Sequence, residues 1–335
     1  MSNILIIFSF TFYIASQFQG AGNALNDTFG LSIFESIILS AFIIYIYTYL
    51  GGYLAVSRTD TIQGFLMAFT AIVMPLMAIS KIGGFAGLFE KLSTASGDFL
   101  SFSAGNVGLS ALGLIVGHLG IGMGYFGQPH LLSRFISVKD LKTLEKSRNY
   151  ALIWFCIVFT GMWLLGIAGH FMITDLSNNE NIFFRISDEI FHPAIQGVLL
   201  AAVISAIMST ADSQILVCSS SISIYLNIQS DSLKVSRLVT GFVILSSALI
   251  AVIIPEKIFT RVLFAWTAMG SAFGPSVISK ILRWNVSASS VLSSILIGFI
   301  FAVLFFLLPN TPGDWLERVI QFMFSLCYLY LTKKN

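Results

Sequence analysis

Charge is scarce in this chain: 18 lysines and arginines and 16 aspartates and glutamates among 335 residues. That is 10%, against about 25% in soluble domains, while 56% of the residues are hydrophobic. A water-soluble core cannot hide so much apolar surface, so the class is a polytopic membrane protein. The net charge of +2 points to neither nucleic acid nor an acidic partner. Cysteine is equally sparse. Cys156, Cys218 and Cys327 lie inside apolar runs, at spacings that fit neither a disulfide framework nor a metal site. The four histidines are scattered, with no HxxxH pair and no His/Cys cluster, so no metalloenzyme is expected. Paired catalytic carboxylates and nucleophile motifs are lacking too, which argues against an enzyme. The acidic stretch 175–190, with Asp175, Glu180, Asp188 and Glu189 near His192, reads as a solvated external loop. The basic stretch 134–148 reads as a topogenic cytoplasmic loop rather than a nucleotide site. No Lys or Arg precedes Arg58, and a signal peptide wants a basic start. "ILIIFSFTFYIA" is therefore read as a first transmembrane helix.

What the chain does have is long apolar runs. About 20 apolar residues cross the hydrocarbon as a helix. Reading between charged or Gly/Pro/Asn-rich breaks predicts ten spans, near 3–20, 31–53, 61–83, 106–126, 150–173, 193–225, 236–254, 258–279, 286–308 and 316–332. The sixth is longer than a bilayer needs, so it tilts or extends past the membrane. The loops after spans 2, 4, 6 and 8 and the C-terminal tail carry 12 of the 18 basic residues. That bias predicts both termini on the cytoplasmic side of the membrane.

Two stretches break the apolar pattern. On the sixth span, "AAVISAIMSTADSQ" (201–214) puts Ala206, Ser209, Thr210 and Ser213 at i, i+3, i+4 and i+7, hence on one helix face. Asp212 flanks that face, about 60° from Ser209. Small residues let helices approach, and Ser or Thr hydroxyls bond back to the carbonyl one turn earlier. A carboxyl group at membrane depth is costly, however, and faces a cavity or a partner. Hydroxyls, carbonyls and carboxylates together are the ligands of a hard cation. The residue chemistry alone does not choose between Na⁺ and H⁺. On the fourth span, "GHLGIGMGYFGQPH" (117–130) holds five glycines within eleven positions, then Pro129. Each glycine costs a helix about 1 kcal/mol against alanine, so a broken or unwound helix is expected. Such backbone lines a cavity or is buried in protein, and transporters place solute sites there. Tyr125 and Gln128 are the candidate solute contacts.

Four stretches, in order along nearly the whole chain, carry a resemblance to the sodium:solute symporter family, most closely its sodium/proline branch. They are "GGYLAVSRTDTIQG" (51–64), "GMGYFGQPHLLSRF" (122–135), "LLAAVISAIMSTADSQILVCSSSIS" (199–223) and "AWTAMGSAFGP" (265–275). The resemblance implies an all-α polytopic membrane helix bundle of the LeuT type, with two inverted five-helix repeats and peripheral helices outside. The whole chain, 1–335, would form one transporter domain, with core helices over 3–280 and peripheral helices over 286–332. It implies that Ala206, by its carbonyl, and Ser209 and Thr210, by their hydroxyls, hold Na⁺. Asp60 matches an acidic residue linked to sodium coupling, and Tyr125 and Pro129 match positions near bound proline. Two departures bear on the solute. Ile121 stands where proline symporters carry Trp, which removes an aromatic wall. Asp212 and Ser213 replace the Ser and Cys of the proline branch, and join Asp60 as candidates for sodium coupling.

The resemblance implies sodium-coupled symport of a small organic solute, proline or another amino acid, by alternating access. Sodium is the coupling ion, and no cofactor is expected. The partners implied are the solute, Na⁺ and the lipid bilayer, with no nucleic acid. Family members have about thirteen helices, so the first three, including core helix 1, have no counterpart here. The alternative expectation is a truncated or split transporter, inactive unless a second polypeptide supplies those helices.

Overall fold

The computed structural model describes residues 1–173, 179–227, 233–254, 258–308 and 311–334. Asp175, named in the acidic stretch above, lies outside the described residues. In chain order the helices are α1 (Ser2–Phe29), α2 (Ile33–Lys81), α3 (Gly84–Thr94), α4 (Gly97–Leu100) and α5 (Gly108–Gly120). A 3-10 stretch, Ile121–Gly127, leads to α6 (Pro129–Ile136) and α7 (Leu141–Met172). A 3-10 turn, Asn179–Asn181, opens α8 (Ile182–Ile190), followed by α9 (Pro193–Tyr225), α10 (Leu233–Ile253), α11 (Ile258–Ile281) and α12 (Ala288–Phe306). The chain closes with a 3-10 turn, Pro312–Asp314, a π-helical turn, Leu316–Ile320, and α13 (Gln321–Thr332).

Local chemistry sets the ends of these helices. Ser32 starts α2 with a capping box: its hydroxyl accepts from the Glu35 N–H, and the Glu35 carboxylate accepts from the Ser32 N–H. Asp140 caps α7 by accepting from the Thr143 N–H at 2.7 Å. Ser287 does the same for α12, through the Ser290 N–H. Past α2 the chain turns at Gly83, whose φ of +98° suits a residue without Cβ.

Among the described residues, eight helical stretches are long and apolar enough to cross a membrane. The protein is an integral membrane protein. Three of the ten expected spans differ from expectation. Spans 31–53 and 61–83 are not separated by a loop but belong to one continuous helix, α2, of 49 residues. Its Val56–Lys81 portion meets the length and apolarity for a span, and its Ile33–Ile46 portion is a shorter apolar stretch. Arg58, expected in a cytoplasmic loop, lies within that helix. The intervening "TYLGGYLAVSRTDT" contains no proline, and two glycines cost a helix about 2 kcal/mol, which flanking apolar turns readily offset. The tenth span, 316–332, is a π-helical turn joined to the 12-residue α13. The acidic stretch expected as a loop is also different: its residues 182–190 are α8, because Phe183, Ile186 and Ile190 share one apolar face.

The chain divides into two compact units: Met1–Ser16 with Gly97–Ser137 and Gln214–Asn335, and Gln17–Ser96 with Val138–Ser213. In the second unit, Met74, Ala78 and Ile79 of α2 pack with Leu165 and Ala168 of α7, Ile186 of α8 and Leu199 of α9. Gly161 brings α7 so close to α2 that a Cβ there would stand 1.9 Å from the Ala71 carbonyl oxygen. In the first unit, α11 runs beside the interrupted fourth span, α12 and α13. Ser294 of α12 and Ser325 of α13 bond each other's hydroxyl at 2.7 Å, and each also bonds the other's carbonyl. Reciprocal polar contacts of this kind hold helices together where the hydrophobic effect cannot.

Candidate functional site

In the second unit the candidate residues lie on α9 and α2. The Thr210 hydroxyl donates to the Ala206 carbonyl at 3.0 Å, and the Ser213 hydroxyl to the Ser209 carbonyl at 3.1 Å. Both are bonds back to the preceding turn, and they line hydroxyl and carbonyl oxygens along one stripe of α9. Ala206, Ser209 and Thr210 are half-buried, and Ser213 is buried. Asp212 is wholly buried. Its Oδ1 accepts a 2.7 Å bond from the hydroxyl of Thr48 on α2. Its Oδ2 is buried and has no hydrogen-bond partner. Asp60, half-buried on α2, is near enough to act electrostatically on Asp212. An apolar cavity of about 40 Å³ in the same unit is walled by Ile44, Ile204 and Met208. Its one polar lining residue, Ser40, spends its hydroxyl proton on the Ser36 carbonyl, which leaves no donor there to orient a solute.

In the first unit the fourth span is interrupted as its glycines predict. Helix α5 ends at Gly120, the chain tightens into the 3-10 stretch Ile121–Gly127, and Gln128 is extended (φ −82°, ψ 109°). Pro129 then opens α6 as its first residue, where a missing N–H costs nothing. Helix α11 fits into this interruption. A Cβ on Gly124 would lie 2.0 Å from Trp266 Nε1, and one on Gly127 would lie 2.4 Å from the Met269 carbonyl. Trp266 donates its indole N–H to the Ile121 carbonyl at 2.9 Å. Its ring stands edge-on to Tyr125, with centroids 4.7 Å apart at 86°. Tyr125 therefore has an aromatic neighbour despite Ile121, supplied from α11. Gln128 is wholly buried, and its side-chain amide donates to the Gly124 and Trp266 carbonyls. Its Oε1 is buried without a partner. Of the solute candidates, Tyr125 is 47% exposed, while Gln128 holds α11 to the interrupted span.

Three residues escaped the sequence reading. Thr48 sits in a run of Ile and Tyr that carries no polar periodicity. Trp266 belongs to a quoted motif but had no role assigned. Gln214, wholly buried on α9 with both side-chain amide atoms unpartnered, follows directly on the polar stripe. The spacing of Gln214 four residues after Thr210 was the available signal.

Two features therefore break the apolar bundle: the helix interrupted at Ile121–Gly127 and the polar stripe of α9 beside the buried carboxyl group of Asp212. The sodium:solute symporter family model matches residues 1–298, and the chain belongs to that family. It is 30% identical over 310 residues to the osmoregulated proline transporter OpuE of Bacillus subtilis, covering 89% of this chain and 62% of the relative. It is 33% identical over 314 residues to the sodium/proline symporter of Salmonella typhimurium, again covering 89% of this chain and 62% of the relative. The chain thus spans about three-fifths of the length of these curated relatives. Among solved structures, a substrate-bound, outward-open Na⁺-coupled sialic acid symporter matches with a TM-score of 0.71 and 21% identity. That match covers 98% of this chain and 73% of the other, and establishes the inverted-repeat transporter fold.

Proposed function

We propose that this chain carries out sodium-coupled symport of a small organic solute, proline or another amino acid, by alternating access in a bacterial plasma membrane. The basic-residue bias favours cytoplasmic termini. In this reading the Ala206 carbonyl and the Ser209 and Thr210 hydroxyls hold Na⁺, with Asp60, Asp212 and Ser213 coupling its binding to transport. The solute lies against the interrupted fourth span, at Tyr125, Pro129 and Ile121, with Gln128 keeping that segment in shape. The observation that carries the reading is the pair of oxygens of Thr210 and Ala206, 3.0 Å apart on a half-buried face of α9. Two turns of helix present hydroxyls and carbonyls there, beside a carboxyl group with a free oxygen. That donor set suits a hard cation and offers nothing for a soft one.

The energetics are adequate. One charge crossing 100 mV yields about 2.3 kcal/mol, and a tenfold sodium gradient adds about 1.4 kcal/mol. At one Na⁺ per solute, that sustains a gradient of about a few hundredfold. The test is uptake of labelled proline into vesicles bearing the chain, in sodium and in choline, with and without Thr210→Ala. Sodium should stimulate uptake, and Thr210→Ala should raise the sodium concentration needed for half-maximal rate by about tenfold. Uptake indifferent to both sodium and the substitution rejects the site.

A further inference from the structure

Several hydroxyl groups in these helices are satisfied within their own helix. Thr11, Thr28, Ser40, Thr210 and Thr267 each donate to the carbonyl four residues earlier on their own helix. Such back-bonding satisfies the hydroxyl at membrane depth without any partner helix. Thr48 is bonded differently. Its side chain is buried, and it gives its single proton to Asp212 Oδ1 of α9, 164 residues away.

The acceptor is equally unusual. Asp212 is wholly buried, and no lysine or arginine among the described residues pairs with it. One oxygen is engaged by Thr48, and the other is buried and unpartnered. A carboxylate left so is costly unless a proton or a cation neutralises it, and the oxygens of α9 beside it suit a cation. A carboxyl group also rotates about its terminal torsion with broad, roughly two-fold preference. Fixing one oxygen removes that freedom and keeps the other aimed in one direction.

We infer that Thr48 is a positioning residue for the cation site. It clamps one oxygen of Asp212 so that the other is held ready for the alkali cation bound by the oxygens of α9. The inference rests on the sodium reading given above, and it assigns Thr48 a function without making it a ligand. Metal ligands throughout proteins are oriented by such outer hydrogen bonds, whose removal costs about 10–100-fold in affinity.

The test is equilibrium binding of ²²Na⁺ to the purified full chain in detergent, with choline as the replacing cation. The chain is compared with Thr48→Ser, Thr48→Val and Thr210→Ala. Thr48→Ser keeps the hydroxyl and should bind sodium within about twofold of the unsubstituted chain. Thr48→Val keeps the shape but loses the donor, and should raise the half-saturating sodium concentration by about tenfold. Should Thr48→Val not fold, Thr48→Ala gives the same reading. If Val and Ser both match the unsubstituted chain while Thr210→Ala weakens binding, the positioning role is overturned and the sodium site stands. If Ser is as poor as Val, the hydroxyl is not the agent, and the inference falls. If the unsubstituted chain shows no saturable sodium binding, both the inference and the site beneath it fall.

Discussion

Trp266 donates its indole N–H to the carbonyl of Ile121 at 2.9 Å. The bond crosses from α11 to the first residue of the unwound fourth span, where backbone oxygens leave the regular ladder of an α-helix. The same indole packs against Tyr125 with ring centroids 4.7 Å apart, so one side chain contacts both the backbone and the aromatic ring of the interrupted segment. Removing the donor while keeping a ring, with Trp266→Phe, should cost about 1 kcal/mol. Trp266→Ala, which also empties the space between the helices, should cost about 3 kcal/mol or more. Thermal melts of the detergent-purified chain should rank unsubstituted, Phe and Ala in that order. Equal melting of Phe and Ala would show that the ring, rather than its hydrogen bond and its bulk together, is dispensable.

The glycines of the fourth span divide into two kinds. A Cβ at Gly124 would meet Trp266 Nε1 at 2.0 Å, and one at Gly270 would meet Gly124 Cα at 2.6 Å. At Gly122 nothing lies within 4 Å of the added atom. Gly124→Ala and Gly270→Ala should each destabilise by about 1–3 kcal/mol, through forced separation of α11 from the span. Gly122→Ala should be neutral or stabilising by up to about 1 kcal/mol, since alanine restricts the unfolded chain without a clash. Melting temperatures of the three variants check this directly. A destabilised Gly122→Ala would mean that the glycines serve flexibility rather than close approach.

These contrasts mark what the sequence could disclose. Glycine density and Pro129 announced the break in the fourth span, because both act on the local backbone. The stripe of Ala206, Ser209, Thr210 and Ser213 was legible because helical periodicity puts those positions on one face. The continuity of α2 was not, since Gly51, Gly52 and the polar residues around Arg58 read locally as a break, while the apolar turns on either side carry the helix through. The α8 helix hid behind its charges, although Phe183, Ile186 and Ile190 already shared a face. Thr48 and Trp266 could not be assigned from pattern at all. Their partners are 164 and 145 residues away, and only the packed helices bring them together.

His130 lies just past the fourth span, buried, with its ring edge-on to Phe10 at 5.3 Å and Nδ1 unpartnered. Burial, with Arg134 as a smaller like-charge contribution, pushes its pKa down to about 4 from an ordinary 6.5. The unfolded chain therefore takes up this proton at a higher pH than the folded chain. Above pH 6.5 the group costs the fold nothing, and stability falls progressively as pH drops from about 6.5 to about 4. Over that window the loss attributable to His130 is about 3 kcal/mol. His130→Gln cannot titrate, so its melting temperature should decline less steeply across the same range. Parallel declines in the two proteins would place the acid sensitivity elsewhere.

Arg318 sits in the π-helical turn that leads into α13, with a side chain 5% exposed, and pairs with Asp314 one turn earlier at 2.7 Å. Its Nε and Nη1 are buried without partners, so Asp314 carries most of the compensation for this charge. The turn packs on α5, where a Cβ at Gly120 would lie 2.3 Å from Val319 Cγ2. A buried ion pair loses in desolvation much of what it gains in attraction, but breaking it from one side leaves a bare charge in an apolar setting. Asp314→Ala should therefore destabilise by about 3 kcal/mol, and Arg318→Met by less, because Asp314 at 30% exposure keeps contact with water. The double variant Asp314→Ala/Arg318→Met should recover most of the loss, since methionine fills similar volume and leaves no charge behind. A thermodynamic cycle from melts of the four proteins reads the coupling. Strict additivity of the two single effects would show that the pair is surface decoration, whereas recovery in the double variant identifies Asp314 as the counter-ion that lets Arg318 be buried.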